Sequence, residues 1–254
     1  MHCVDLNCDM GENLGRYDLG SDRRILDFVT SANIACGYHA GDPIVMRKTA
    51  RMALDKGVAV GAHPGYPDLQ SFGRRFMDVS PEDLYDMLLF QIGGLAAIVL
   101  AEGGSLQHVK AHGALYNAAA VDPSLAEAIA RAVHIVDSGL VLFGLSESEL
   151  IAAGKRVGLR TGSEAFADRT YEADGTLTPR RHPEALIEDH DAAAEQAIRI
   201  VKEGLVRSRQ GTDVRVKADT ICVHGDGPHA PDFARSIRER LMSAGIKVSS
   251  IPAP

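Results

Sequence analysis

The chain has 254 residues, 45% hydrophobic and 24% charged, with 34 acidic against 27 basic side chains and a net charge of −7. That length suits one β/α-barrel domain spanning residues 1–254, since such barrels run to about 250 residues, and the mixed composition excludes a disordered chain. With no basic block and no basic helix face, the charge balance disfavours a nucleic-acid or anionic-membrane surface.

Met1-His2-Cys3-Val4-Asp5-Leu6 reads as a strand with no basic or signal-like apolar stretch before it, so a cytoplasmic location is expected. Apolar strand-like runs then alternate with helical patterns. The candidate strands are Cys3–Asp9, Ser31–Cys36, Val58–His63, Leu106–Lys110, Val141–Gly144, Gly158–Gly162, Thr220–His224 and Lys247–Ile251. Asp42-Pro43 starts a helix that carries Met46, Ala50, Ala53 and Leu54 and ends at Gly57. Ser80-Pro81-Glu82-Asp83 opens the next, with Leu84, Leu88, Leu95 and Val99 on one face. The apolar run Gly93–Ala101 is shorter than the ~20 residues a bilayer span needs. Ala194, Ala197, Ile198, Val201 and Leu205 form a third helical stripe, and Phe233, Ile237, Leu241 and Ala244 a fourth, ended by Gly245. Two long connections, Pro64–Val79 and Ser163–Asp189, are expected to be functional loops. Cys3, Cys8, Cys36 and Cys222 lie in apolar strand-like segments without a CxxC pair, which predicts reduced, buried thiols.

Alternating βα units imply a mostly parallel sheet. Side chains alternate along a strand, so Asp5, Asn7 and Asp9 share the face opposite Val4, Leu6 and Cys8. Later strand ends repeat the pattern. Ser31 and Asn33 lead to His39, and Ala59 and Gly61 lead to His63. His108, Lys110 and His112 share one parity, as do Thr220, Cys222, His224 and Asp226. An open sheet gathers ligands at one switch point, whereas a barrel brings many strand ends to one mouth. The predicted fold is therefore a distorted (β/α) barrel of seven or eight strands.

Asp9, Glu12, His39 and His63 are an acid-plus-histidine set of the kind divalent ions accept, although they lack the close spacing of an HExxH motif. Lys110 and His112 place an ammonium and an imidazole at one strand end, suited to anion binding and proton transfer. Arg74-Arg75 in the first long loop are candidates for clamping carboxylate or phosphate. So are Asp168 and Arg169 in the second, with Glu164 also reading as following a strand. Gly225-Asp226-Gly227-Pro228 before a helix offers backbone N–H groups to an anion. No GxxxxGK[ST] loop and no GxSxG elbow occur, which excludes a P-loop and disfavours a serine acyl-enzyme.

Taken together, Val4–Glu12 (VDLNCDMGE), Ser31–Pro43 (SANIACGYHAGDP), Gly61–Asp68 (GAHPGYPD), Val109–Asn117 (VKAHGALYN), Glu164–Tyr171 (EAFADRTY) and Ile221–Pro228 (ICVHGDGP) resemble the LamB/YcsF family over nearly the whole chain. Ala111, where proline is usual, and Ser71 depart from its pattern without removing an ionisable group. The resemblance implies a barrel similar to the glycoside hydrolase and deacetylase superfamily. It also implies a 5-oxoprolinase activity, in which the lactam of 5-oxo-L-proline is opened to L-glutamate with ATP hydrolysed to ADP and phosphate, together with B and C subunits. Related deacetylases hold a metal with Asp-His-His, which singles out Asp9, His39 and His63 for an ion such as Mg or Zn. On this reading Lys110, Arg74 and Arg75 hold charge on phosphate or carboxylate while Asn7, Asn33, Asp168, Arg169, Gly225 and Gly227 bind substrate. Asp9, Glu12 or His112 acts as base, and His224 or Asp226 serves the leaving nitrogen, with Glu164 also in the catalytic set. The alternatives are an ATP-independent, metal-dependent amidohydrolase or deacetylase, and a non-catalytic substrate-binding subunit.

Overall fold

A computed structural model describes residues 2–15, 22–223 and 230–252. In chain order the elements are β1 (Cys3–Met10), α1 (Asp22–Ile25), β2 (Ser31–Ala35), α2 (Pro43–Asp55), β3 (Ala59–His63), α3 (Pro81–Ala101), β4 (His108–Lys110), α4 (Gly113–Ala119), α5 (Pro123–Val136), β5 (Val141–Leu145), α6 (Glu149–Arg156), β6 (Arg160–Phe166), α7 (His190–Glu203), β7 (Leu205–Arg207), β8 (Asp213–Arg215), β9 (Thr220–Val223), α8 (Ala230–Ser243) and β10 (Lys247–Val248). Among the described residues, β1 to β6 and β9 form a parallel sheet in that order. It closes where Asp5–Cys8 of β1 pairs with Thr220–Val223 of β9. The barrel thus has seven strands, and β10 pairs only with Cys3 and Val4 at the start of β1.

Local chemistry sets the helix ends. Asp42, Asp122 and Asp189 cap α2, α5 and α7 by accepting backbone N–H bonds, and Ser80 and Ser148 do the same for α3 and α6. Gly204 ends α7 in the left-handed conformation. Leu205 therefore belongs to β7 of a small antiparallel hairpin with β8, not to the helical stripe expected of it. Helix α3 is long and apolar enough to cross a membrane by length and composition, so the shorter run Gly93–Ala101 understated it. Its Leu84, Leu88, Ile92, Leu95 and Val99 side is buried against β3 and α5, the placement of a core helix. All four cysteines are free, but Cys3 is exposed rather than buried.

The hydrophobic core lies between barrel and helices, where Leu6, Cys8, Ile34, Val60, Val109, Leu142 and Ile221 point outward from the strands and are fully covered. Inside the barrel the chemistry reverses. Asp5, Asn7, Ser31, Asn33, His63, His108, Lys110, Glu164 and Thr220 are all buried, and such groups are tolerated only when partnered. At the floor, Asp5 accepts from the hydroxyls of Thr30 (2.6 Å), Ser31 (2.7 Å) and Thr220 (2.6 Å). Burial still raises its pKa, outweighing those bonds. One layer up, Asn7 Nδ2 donates to Thr220 Oγ1 and Glu164 Oε1, Asn33 Nδ2 donates to Asn7 Oδ1, and His108 Nε2 donates to Asn33 Oδ1. His108 stacks on Phe143 at 4.3 Å. Its pKa is lowered to about 3 by burial and then by Lys110, so the ring stays neutral.

Gly61 makes room for that ring. A Cβ there would lie 2.1 Å from His108 Nε2, and the ring is locked by Phe143 and Asn33. Gly61→Ala is expected to cost about 3 kcal/mol or more through overpacking, whereas Gly93→Ala, with nothing near its added methyl, should be neutral or stabilising by up to ~1 kcal/mol on helix propensity. Urea unfolding of the two variants checks this, and equal midpoints would overturn it.

Candidate active site

The next layer is built on Lys110, at the end of β4. Its Nζ lies 3.0 Å from Asp9 Oδ1 and 2.9 Å from Glu164 Oε1, with Cys222 Sγ at 3.1 Å. Burial opposes the charge, but Asp9 and Glu164 outweigh it and hold the lysine pKa well above its ordinary value. The Cys222 thiol is pushed up by burial and stays protonated, with only partial opposition from Lys110. Asp9 Oδ1 also accepts from Asn33 Nδ2 at 2.8 Å, so the asparagine layer orients the carboxylate from below.

Above and beside this ion pair stand three imidazoles, His63 at the end of β3 and His39 and His112 in the segments after β2 and β4. His39 and His112 stack face to face at 3.7 Å, and His63 meets both edge-on. His63 Nδ1 donates to Lys110 O and His112 Nε2 donates to Phe72 O, each at 2.8 Å, because a carbonyl can only accept. The nitrogens left over, His63 Nε2 and His112 Nδ1, face each other at 3.0 Å. With each ring singly protonated, that arrangement sets two lone pairs against one another. Glu12 Oε1 approaches His39 Nε2 at 3.4 Å and His112 Nδ1 at 3.6 Å, and Asp9 Oδ2 lies 3.3 Å from His63 Nε2. Burial and then the neighbouring imidazoles push the pKa values of His39 and His112 well below the ordinary histidine value.

The loop after β3 closes over these rings. Phe72 adopts the left-handed conformation (φ 56°, ψ 39°), which presents its carbonyl to His112 and its ring edge-on to His39 and His112. Gly73 follows with φ +62°, and a Cβ there would lie 2.8 Å from His39 Cβ, so only glycine lets the loop approach so closely. The cluster opens into a pocket of about 470 Å³ whose wall includes Asp9, Glu12, His63, Lys110, His112 and Tyr116.

The LamB/YcsF family model matches residues 4–254. The chain belongs to the LamB/YcsF family. It is 61% identical over 251 residues to the 5-oxoprolinase A subunit of Bacillus subtilis (strain 168), covering 99% of this chain and 98% of that protein. It is 56% identical over 248 residues to the protein of the same name from Tolumonas auensis, covering 98% and 99%. The lactam utilization protein of Thermus thermophilus superposes with a TM-score of 0.92 at 47% identity, covering 98% of this chain and 100% of that one. A putative cellobiose-phosphate cleavage protein from Enterococcus faecalis superposes with a TM-score of 0.57 at 13% identity, covering 98% and 97%, and shares the barrel fold alone.

Of the residues singled out in this LamB/YcsF sequence, Asp9, Glu12, His39, His63, Lys110, His112 and Glu164 converge at one barrel mouth. Glu164 does so from within β6, which runs to Phe166, and not from the loop beyond it. The metal set read as Asp9, His39 and His63 is altered: Glu12, His39, His63 and His112 offer one ligand atom each within 4.8 Å of one another, and Asp9 is not in that group. Asn7 and Asn33 are fully buried in the layer beneath the pocket rather than lining it. Arg74 and Arg169 line the pocket. Arg75 is instead clamped bidentately by Asp68 (3.0 and 2.6 Å), which lowers that carboxyl's pKa. Asp168 is buried and its carbonyl accepts from Ile187 N, tying down the second loop. His224, Gly225, Asp226 and Gly227 lie outside the described residues. The structure adds Tyr116, Asn117, Phe166 and Arg180 to the wall. The spacing of Tyr116 from His112, one helical turn, is a usable signal for the first of these; Arg180 sits in an aperiodic loop and has none.

Because its pKa is raised on folding, the lysine contributes stability throughout the range below its ordinary value and loses it only as pH rises past that. Lys110→Met should therefore cost about 3–5 kcal/mol at neutral pH by leaving Asp9 and Glu164 buried without their cation, as read by urea unfolding. A loss below ~1 kcal/mol, typical of a solvated pair, would contradict the ion pairing described.

Proposed function

We propose that this chain hydrolyses a lactam, opening 5-oxo-L-proline to L-glutamate as the A subunit of a cytoplasmic 5-oxoprolinase that works with B and C subunits and couples the reaction to hydrolysis of ATP to ADP and phosphate. The observation that carries this is the charged Lys110, set between Asp9 and Glu164, in the wall of a small polar pocket; the names borne by relatives at 55–61% identity support it. A five-membered lactam is unstrained and resonance-stabilised, so ring strain does not drive its opening and energetic coupling is needed.

The residues divide the work by position. Lys110 places positive charge where the carbonyl oxygen gains electron density as water adds to its carbon. Asp9, with one oxygen held by Lys110 and Asn33, directs the other towards the histidines and takes the proton of that water. The ring C–N bond then breaks and the nitrogen takes up the proton that Asp9 received from the water. Phe72 and the loop behind it cover the histidines and exclude bulk water.

The histidine cluster fits a divalent metal on its own geometry. Among the described residues neither ring nitrogen of the buried His39 has a hydrogen-bond partner, two imidazole nitrogens face each other at 3.0 Å, and carbonyls hold the far sides of both rings. Glu12, His39, His63 and His112 would hold the ion, of a type such as Zn or Mg, and a bound metal supplies Lewis acidity at the lactam carbonyl or acidifies water. This cluster is what favours a second reading, a metal-dependent amidohydrolase that needs no nucleotide.

Glutamate formation from 5-oxo-L-proline separates these readings. With B and C subunits present, product is expected only when ATP is added. Product from this chain alone with a divalent ion and no ATP would move the assignment to the second reading, and none in the verified full complex rejects the substrate. Metal content gives an independent check: after equilibration with Zn and desalting, the chain should retain about one equivalent, and His63→Ala should bind it with at least about tenfold lower affinity. Equal metal content in both would remove the metal from this site.

A further inference from the structure

Helix α3 is as apolar on its outer face as on its inner one. From Met87 to Ala101 it carries no charged side chain. Its polar residue there, Gln91, is buried, accepting from Gly65 N and donating to Gly65 O. A helix on the outside of a barrel ordinarily turns charged residues to water, and one that is apolar all round is ordinarily covered. Here the outward row at helical spacing is Asp83, Phe90, Gly94, Ala97 and Ala101, all exposed. Phe90 is 69% exposed and Leu100, beside the row, 74%. A Cβ added at Gly94 would meet nothing within 4 Å. Ile44 (81% exposed), Arg47 and Arg51, on one side of the neighbouring α2, extend this surface.

The two ends of the surface carry opposite charge. At the N-terminal end of α3, an open groove of about 840 Å³ is lined by Tyr38, Met87 and Phe90 with Asp78, Asp83 and Asp86. At the C-terminal end, Arg47 and Arg51 converge on one carboxylate, Glu102, which leaves an excess of positive charge. Such a surface complements a copy of itself that runs the other way. With Gly94 on the two-fold axis, Asp86 falls opposite position 102, since each lies eight residues from Gly94. That is where Arg47 and Arg51 stand. The row from Asp83 to Ala101 is roughly 27 Å long at about 1.5 Å per residue. With the α2 row about 10 Å to its side, two copies would bury on the order of 1,200 Å², the lower bound of a specific interface. The exposed carboxylates at one end disfavour a lipid surface as the occupant.

We propose that the outer faces of α3 and α2 form the interface of a symmetric dimer in which α3 pairs antiparallel with α3 of a second copy. The acidic groove of each copy then receives the arginines of the other, and the apolar row between them is withdrawn from water. This groove and the catalytic pocket share no lining residue, so the interface leaves that pocket free. The inference stands apart from the lactam-opening reading.

Sedimentation equilibrium of the full chain, without other subunits, tests it. Across micromolar concentrations the mass should rise to that of two chains. Ala97→Glu sets a charge at the centre of the interface and should weaken association about a hundredfold or more. Because Ala97 is exposed, the urea midpoint of the monomer should hardly move. Asp86→Arg and Arg47→Glu should each weaken association about tenfold. An equimolar mixture of those two variants should restore it, because in the mixed dimer each side chain at position 86 meets the opposite charge. A chain that stays monomeric throughout, or a dimer indifferent to Ala97→Glu, overturns the proposal. Failure of the mixture to recover overturns the antiparallel pairing. A monomeric chain whose binding to a B or C subunit is lost in Ala97→Glu overturns it too, and assigns the face to that subunit.

Discussion

The ion pairing of one buried ammonium governs this molecule. A barrel whose interior carries Asp5, Asp9, Glu164, two asparagines and His108 cannot be assembled from hydrophobic burial alone, because each desolvated polar group is a cost until it finds a partner. Lys110 meets that requirement for β1, β6 and β9 at once, through Asp9, Glu164 and Cys222. The asparagine and hydroxyl layers below continue the network to the floor, where Asp5 ends it among three hydroxyls. The stability of the fold and the chemistry of its mouth therefore rest on the same contacts. The arrangement is preorganised: the charges that would meet a polarised carbonyl are held in place by strands and not by loops.

The histidine cluster depends on that foundation but is built differently. His39, His63 and His112 come from the ends of three successive strands. Backbone carbonyls hold the rings of His63 and His112, His39 stacks on His112, and Asp9 and Glu12 approach their remaining nitrogens. Division between a rigid charged floor and a ring-and-loop roof explains how one mouth combines a charged lysine with the neutral imidazoles of His39 and His112. The neutral state of His39 and His112 follows from burial and mutual proximity, and that state is the one in which imidazole nitrogens bind metals.

Much of this was legible in the sequence, for a definite reason. In a barrel both faces of a strand are buried, so strict alternation of Val4, Leu6 and Cys8 with Asp5, Asn7 and Asp9 can only separate an apolar outside from a polar inside. The shared parity of His108, Lys110 and His112 carried the same information. What alternation cannot convey is which polar residue meets which. Asn7 and Asn33 looked like ligand-binding groups and are instead the supports of Asp9 and Glu164. Arg75 looked like half of an anion clamp, but Asp68, seven residues earlier in an aperiodic loop, had already claimed it. Leu205 matched a helical stripe by spacing, yet the left-handed Gly204 before it turned the chain into a hairpin. Arg180 reaches the site from the long segment after β6, where no periodicity exists to announce it.

Phe72 carries a wider implication. A non-glycine residue held in the left-handed region stores roughly 1–2 kcal/mol of backbone strain, and here that conformation aims a carbonyl at His112 while the ring shelters two imidazoles. Glycine at this position would relax the backbone and remove the shelter in the same stroke. Heat tolerance and turnover thus pull in opposite directions at residue 72. Selection for robustness alone, in nature or in a laboratory lineage, would be drawn to a change there that dismantles the site.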